Sequence, residues 1–151
     1  MKLRIEVIED GQQEEIVVRC REIDGRIQSL QRFLQTELAP ALTFYKGEQE
    51  YYFPLENVLF FETNEEKVYA HTYSDMYRVR YRLYELEELL PRQFIRVAKA
   101  VILNARHVYS VQRNIASASL VQFHNSHKQV YVSRHYYQAL KQCMEERGRG
   151  V

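Results

Sequence analysis

The sequence predicts a mainly β fold with short helices, preceded by a small β-β-α extension. Three observations lead to this expectation. Between Thr43 and Tyr73 the apolar residues fall in short runs rich in Tyr, Phe and Val, and polar breaks separate these runs. Helical spacing of apolar residues occurs only in brief stretches. No glycine-rich phosphate loop is present. The simplest arrangement of many short neighbouring strands is an antiparallel meander.

The composition is that of a soluble chain with one main domain. Its 151 residues are 46% hydrophobic and 27% charged, which is enough to bury a core without disulfides or a structural metal. Cys20 and Cys143 lie far apart, as is typical of reduced thiols in a cytoplasmic protein. No apolar run approaches the ~20 residues of a membrane helix, and the polar N-terminus has no signal-peptide core. We therefore expect a cytoplasmic protein without membrane insertion.

Residues 1–41 predict the β-β-α extension. Apolar residues alternate over 3–8 and again over 15–21, so each segment is expected to form a half-buried strand. Asp24 occupies the position of a helix N-cap. A helix of three to four turns is expected to follow and to end at Ala39-Pro40. Its apolar stripe consists of Ile27, Leu30, Leu34 and Leu38.

Residues 42–151 are expected to form the main domain. Arg78, Arg80 and Arg82 alternate with apolar residues, and we interpret them as the solvated face of a strand. Leucines at helical spacing predict a short helix that ends at Pro91. Further short strands are expected over 94–97, 101–103, 107–111, 118–123 and 129–133. A C-terminal helix is indicated by Tyr136, Tyr137, Leu140 and Met144.

Charge is distributed very unevenly along the chain. Residues 92–151 contain ten basic and two acidic side chains, whereas residues 1–91 contain eleven basic and eighteen acidic ones. The depletion of acids extends over several strands, turns and a helix, which a single solvated helix face would not explain. Such asymmetry indicates a polyanionic partner for the basic part.

Five motifs in order resemble the LytTR DNA-binding domain of bacterial response regulators. They are Val58-Leu59-Phe60-Phe61-Glu62, the stretch from Leu83 to Pro91, Phe94-Ile95-Arg96-Val97, Val101-Ile102-Leu103-Asn104, and Val132-Ser133-Arg134 before a helix. The resemblance extends over roughly Leu42 to Met144. It implies an antiparallel β fold of several small sheets that contacts DNA through loops. It also implies a sequence-specific transcription regulator that binds paired repeats and bends the duplex.

The candidate DNA-binding residues lie in three turns. Lys99 to Asn104 offers an ammonium for a phosphate or guanine and an amide for a base edge, and Arg106 follows it. Ser133-Arg134 offers a guanidinium, the usual partner of guanine O6 and N7. Asn64 and Lys67 belong to the third turn. The resemblance implies that these are the loops that touch DNA. Arg96 lies in a strand between apolar neighbours, so we interpret it as a structural residue.

Some residues depart from the family pattern. Glu65 and Glu66 occupy the tip of the first turn, where they repel phosphate unless they face away or accept from cytosine N4. Ala98 and Ala100 flank Lys99 where small polar residues are commoner, which removes phosphate donors. The region before Leu42 is too short for a receiver domain, so control by a phosphorylated attached receiver is not expected. For stand-alone members, a regulatory partner protein is one expected means of control.

Two classes of function remain from the sequence. The first is a regulator that binds double-stranded DNA at promoter repeats, with the N-terminal extension forming a homodimer or covering a sheet edge. The alternative is an RNA-binding or protein-adaptor domain that uses the basic surface without base readout. An enzyme is not expected, because residues 92–144 contain no Asp or Glu to act as a general base and no nucleophile has a partner. No cofactor is expected, since His124 and His127 alone make a weak metal site.

Overall fold

The computed structural model describes residues 1–38 and 41–149. The chain divides into two compact units, Met1–Glu37 and Leu38–Val151. The helices are α1 (Gly25–Leu38), α2 (Leu83–Leu89) and α3 (Arg134–Arg149). The strands are β1 (Phe44–Lys46), β2 (Gln49–Tyr51), β3 (Phe60–Asn64), β4 (Lys67–His71), β5 (Met76–Val79), β6 (Phe94–Ala98), β7 (Val101–Asn104), β8 (Val108–Gln112), β9 (Ser119–Phe123) and β10 (Gln129–Val132). Short 3-10 helices occupy Leu55–Asn57 and Ala105–His107.

The first unit contains the predicted helix but not the two predicted strands. The Asp24 carboxylate accepts a hydrogen bond from the backbone N–H of Ile27 at 3.0 Å, so the predicted N-cap is confirmed. Residues 3–8 and 15–21 form no strand ladder. Their alternating apolar side chains are exposed, Leu3 by 89% and Val7 by 97%. Alternation specifies a strand only where one face can be buried, and an isolated pair of strands is marginal in water. The predicted end of the helix at Ala39-Pro40 lies outside the described residues.

The second unit is built from two antiparallel sheets, which confirms the mainly β fold. A seven-stranded sheet has the order β2-β1-β5-β4-β3-β7-β6, and a three-stranded sheet has the order β10-β9-β8. The prediction of a short helix in this unit is confirmed by α2, which starts at Leu83. Its N-terminus is capped by a hydrogen bond from the backbone N–H of Arg82 to Oε1 of Glu85, at 3.0 Å.

Alternation along the central strands creates a core on each face of the larger sheet. Phe61 and Ile102 belong to one core, which Leu83 and Leu86 of α2 cover. Phe60 and Leu103, the neighbouring residues in the same strands, belong to the other core. That second core is completed by the three-stranded sheet and α3, including the buried Val121, Val132 and Leu140. The larger sheet is therefore the middle layer of the unit, with its central strands covered on both faces.

A buried histidine lies between the two sheets. His71 stacks on Phe60 with 4.3 Å between ring centroids, and its Nε2 lies 2.7 Å from Oε1 of Glu62. Nζ of Lys128, in the turn between β9 and β10, lies 3.1 Å from His71 Nδ1 and donates to Asp75 O at 2.5 Å. Burial lowers the pKa of His71 below its usual value and outweighs the opposing effect of Glu62. The neutral imidazole can therefore accept from Lys128 and donate to Glu62.

Candidate nucleic-acid interface

The turn between β6 and β7 carries an exposed lysine, Lys99. The pairing of these strands shifts register between Arg96 and Ala98, which leaves a β-bulge directly before the turn. Bulged residues lose part of their ladder of hydrogen bonds, so the carbonyl groups near Lys99 are available to other elements. These carbonyl groups accept the hydrogen bonds that connect the β6–β7 turn to two neighbouring turns.

Two backbone hydrogen bonds bring the other predicted turns to this one. The N–H of Ser133 donates to the Val97 carbonyl at 2.8 Å, and the N–H of Thr63 donates to the Ala100 carbonyl at 2.9 Å. Thr63 is the residue before Asn64, where β3 ends, and Ser133 is the residue before α3. The turns that carry Lys67, Lys99 and Arg134 are therefore adjacent at one end of the sheets. We call the surface formed by residues 64–67, Lys99 and Ser133-Arg134 the turn ridge.

The hairpin turn from β3 to β4 has a strained backbone. Asn64 pairs with Lys67 at the end of the ladder, and the two residues between them have positive φ, 51° for Glu65 and 66° for Glu66. A two-residue turn with positive φ at both positions is the type I′ turn, which Asn-Gly forms most readily. All four residues are exposed. Both carboxylates are therefore held at the tip of the turn ridge.

Ser133 and Arg134 lie at the junction of β10 and α3. Ser133 is half-buried and Arg134 is exposed. The N–H of Tyr136 donates to the Ser133 carbonyl at 3.0 Å, which fixes the first turn of the helix. Arg134 thus projects from a rigid junction between a strand and a helix.

Asn104, in contrast, is not on the turn ridge. Its side chain is fully buried, its Nδ2 donates to the Val58 carbonyl at 3.0 Å, and its Oδ1 accepts from the N–H of Arg106 at 3.2 Å. It lies at the end of β7 remote from Lys99. Three residue steps of about 3.3 Å each place Asn104 roughly 10 Å along the strand from Val101, where β7 begins. The expectation that Asn104 pairs with a base edge is therefore wrong for this structure, because the amide is already engaged in the core.

Arg106 also lies away from the turn ridge, in the 3-10 helix that follows β7. Its guanidinium is 3.0 Å from the carboxylate of Glu56. Both side chains are about half exposed. Arg106 therefore differs from Lys67, Lys99 and Arg134, because it lies away from the turn ridge and forms an ion pair with Glu56.

Some basic side chains of the second unit form ion pairs, and others do not. Arg92, Arg96 and Arg106 form ion pairs with Glu146, Glu87 and Glu56 respectively. Within residues 41–149, Lys67, Lys99 and Arg134 form no ion pair. The cations of the turn ridge are therefore left available for an external anion.

One arginine beside the turn ridge was not among the sequence candidates. Arg113 follows β8, and the pairing of β8 with β9 and of β9 with β10 places the end of β8 near the end of β10. Its guanidinium carbon is 4.7 Å from the ring centroid of Tyr137, in the first turns of α3. The sequence shows that Arg113 follows a predicted strand in a region that is depleted of acids. It does not show at which end of the three-stranded sheet this residue lies.

Neither a metal centre nor a membrane span emerges from the described part of the chain. Residues 1–38 and 41–149 contain no group of three or more His, Cys, Asp or Glu side chains that could hold a metal ion. Within the same ranges, every helix is too short or too polar to cross a membrane.

The comparisons with known proteins identify the family of this chain. A family model described as the LytTr DNA-binding domain matches residues 48–145. The chain belongs to the LytTr DNA-binding domain family. The match contains all three turns of the ridge, so the elements that carry Lys67, Lys99 and Arg134 belong to the LytTr domain itself. The predicted resemblance is thereby confirmed.

Individual proteins similar to this chain include LytTr-type and regulatory proteins. A solved LytTr DNA-binding domain from Bacillus cereus, described as part of a methyl-accepting/DNA response regulator, superposes with a TM-score of 0.64 at 24% identity. The alignment covers 70% of this chain and 98% of that one. Two proteins of Staphylococcus aureus, described as uncharacterized HTH-type transcriptional regulators, are 23% and 24% identical in strains NCTC 8325 and RF122. Each alignment covers 94% of this chain and 97% of the relative.

Proposed function

We propose that the protein is a sequence-specific transcriptional regulator whose turn ridge reads duplex DNA. The observation that carries this proposal is the junction of three turns by the Ser133–Val97 and Thr63–Ala100 hydrogen bonds. Each turn carries a cation that forms no ion pair with any residue the structure describes. Membership of a DNA-binding family and the regulatory description of its relatives support it. In the absence of an ion pair, a cation loses no internal partner when it meets a phosphate.

Each residue of the turn ridge has a distinct proposed role. Arg134, with its planar fork, is proposed to pair with guanine O6 and N7 in the major groove. Lys99 and Lys67 are proposed to neutralise phosphates and to fix the register on the duplex. Asn64 and Ser133 supply polar groups beside these cations. Within residues 1–38 and 41–149 strands separate each helix from the next, so the tandem helices of a helix-turn-helix reader are missing there.

We also propose that two copies act together on paired promoter repeats in the cytoplasm. The first unit exposes many large apolar side chains, among them Ile5, Val7 and Ile16, and α1 presents Leu30 and Leu34 half-buried. A second copy of the chain would cover such side chains, and a two-fold dimer matches two repeats of a site. Leu30→Glu with Leu34→Glu should give a folded monomer by light scattering. A folded variant of unchanged mass would exclude the helix as the dimer contact. Control by a separate partner protein is a further proposal for which the described residues give no specific contact.

The decisive experiment is selection of bound fragments from genomic DNA, followed by titration of the best fragment and of random duplex at several salt concentrations. A regulator should prefer its own site by about a thousandfold or more. An RNA-binding or adaptor domain would show no preference between duplexes. Each phosphate neutralised should contribute roughly −0.9 to the slope of log K against log salt.

Variants of the turn ridge separate base reading from phosphate binding. Arg134→Ala should cost about 1 to 3 kcal/mol at particular base pairs, whereas Lys99→Ala should weaken all duplexes similarly and reduce the salt slope by about one. Arg92→Ala is the matched control, because this arginine is 85% exposed in its side chain and precedes β6 at the opposite end of that strand from Lys99. Equal losses on selected and random DNA for Arg134→Ala would count against base reading.

A further inference from the structure

The backbone around Lys99 is held by hydrogen bonds to all four consecutive carbonyl groups from Val97 to Ala100. The outer two accept from the backbone N–H groups of Ser133 and Thr63. The inner two, those of Ala98 and Lys99, accept from a single side chain, the guanidinium of Arg96. Its Nε donates to the Ala98 carbonyl at 2.8 Å. Arg96 therefore binds the two carbonyl groups that lie between those bound by Ser133 and Thr63.

Helix α2, which covers the face of the larger sheet that carries Phe94 and Arg96, orients this guanidinium. Nη1 of Arg96 lies 2.8 Å from Oε2 of Glu87, in α2. The Arg96 side chain is only 18% exposed, whereas that of Glu87 is 49% exposed. A planar group with donors on three nitrogens can engage two carbonyls and one carboxylate at once, and a lysine ammonium cannot reproduce this geometry.

We propose that Arg96, oriented by Glu87, is a positioning residue that holds the β6–β7 turn in the conformation in which Lys99 meets DNA. Arg96 itself is not a DNA contact, because its donors are directed to Ala98, Lys99 and Glu87. Pre-ordering of the turn matters because a binding group must lie within a fraction of an ångström of its productive position. This inference rests on the proposed function of the turn ridge and adds α2 as the element that supports it.

The first test requires no DNA. The N–H groups of Thr63 and Ser133 donate into the carbonyl run, so their exchange with solvent deuterium reports how often the turn leaves its neighbours. Arg96→Lys should accelerate exchange at both amides by about tenfold or more, while amides of the three-stranded sheet keep their rates. Unchanged exchange at Thr63 and Ser133 would overturn the proposal, whatever the protein binds.

The second test is a double-mutant cycle on the selected DNA fragment. Arg96→Lys retains the positive charge, so a purely electrostatic role would leave binding unchanged. A positioning role predicts that Arg96→Lys weakens binding several-fold and that Lys99→Ala then costs much less than it does in the wild type. Additive effects of the two substitutions would overturn the proposal. If the wild-type protein has no preference for any fragment, the proposed function fails, and the exchange experiment still decides the role of Arg96.

The chain offers a matched control for both tests. Arg106 and Glu56 form an ion pair of similar length, 3.0 Å, at the other end of β7. Arg106→Lys and Glu56→Gln should leave the exchange of Thr63 and Ser133 and the effect of Lys99→Ala unchanged. Glu87→Gln is the second test variant, because it leaves Arg96 in place and removes only its orienting carboxylate. If Arg96→Lys fails to fold, faster exchange in Glu87→Gln would support the proposal and wild-type exchange would overturn it.

Discussion

Replacement of Asn104 by alanine should destabilise the fold without changing which DNA sequence is preferred. The buried amide of Asn104 makes two hydrogen bonds, one to the Val58 carbonyl at 3.0 Å and one from the N–H of Arg106 at 3.2 Å. Alanine leaves the buried Val58 carbonyl without this donor, which costs about 1 to 3 kcal/mol. Loss of the second hydrogen bond adds about 1 kcal/mol. The expected decrease in the free energy of unfolding is therefore about 2 to 4 kcal/mol.

Urea denaturation measures this decrease directly. With an m-value of about 2 kcal/mol per M, the midpoint should fall by about 1 to 2 M. Below the transition, the ratio of affinities for selected and random DNA should equal that of the wild type. Asn64→Ala is the contrasting variant, since this exposed asparagine in the turn ridge should affect DNA affinity and leave the midpoint unchanged. The reasoning is refuted if Asn104→Ala keeps wild-type stability and loses its preference for the selected fragment.

Two further predictions concern the hairpin tip and the buried histidine. Glu65→Asn with Glu66→Gly should stabilise the type I′ turn by about 1 kcal/mol in thermal unfolding, and at low salt it should tighten binding to every duplex because two carboxylates are removed. Weaker binding to the selected fragment alone would instead mean that a carboxylate accepts a hydrogen bond from a base. The pKa of His71 is lowered in the folded protein, so below about pH 6.5 the unfolded chain takes up a proton that the folded chain resists. The free energy of unfolding should therefore decrease as the pH falls from about 6.5 to the lowered pKa of the folded state. Above about pH 6.5 this group should have no effect on stability. His71→Gln should remove that slope in denaturation series between pH 7 and 5, whereas the exposed His127→Gln should retain it; equal slopes would exclude His71 as the cause.

Local patterns in the sequence were sufficient for most of the second unit. The alternation of Phe60 and Phe61 between two cores follows from the period of a strand, and the leucine spacing after Arg82 predicted α2. The same reasoning failed at residues 3–8 and 15–21, because alternation indicates a face without indicating what covers it. Their apolar side chains remain exposed in the structure.

The candidate site depended on contacts that sequence separation conceals. Lys99 and Asn104 are five residues apart and lie at opposite ends of β7, whereas Lys99 and Arg134 are far apart in sequence and lie on adjacent turns. An asparagine after an apolar run is equally compatible with an exposed turn and with an inward-facing cap. Only the position of the Val58 carbonyl, more than forty residues earlier, distinguishes the two.

The charge asymmetry of the chain predicted a polyanionic partner, but the structure changes which charges carry that argument. Glu56 and Glu87 come from the acidic part of the sequence and form ion pairs with Arg106 and Arg96 from the basic part. Those two arginines therefore contribute little net field at the surface, although they count fully in the composition. The cations on the turn ridge have no such partner among residues 41–149. In the function that we propose, these lysine and arginine side chains contribute to the electrostatic attraction for DNA. In the positioning role that we propose, Arg96 supports DNA binding indirectly, because its guanidinium is engaged within the protein by the turn that carries Lys99 and by Glu87.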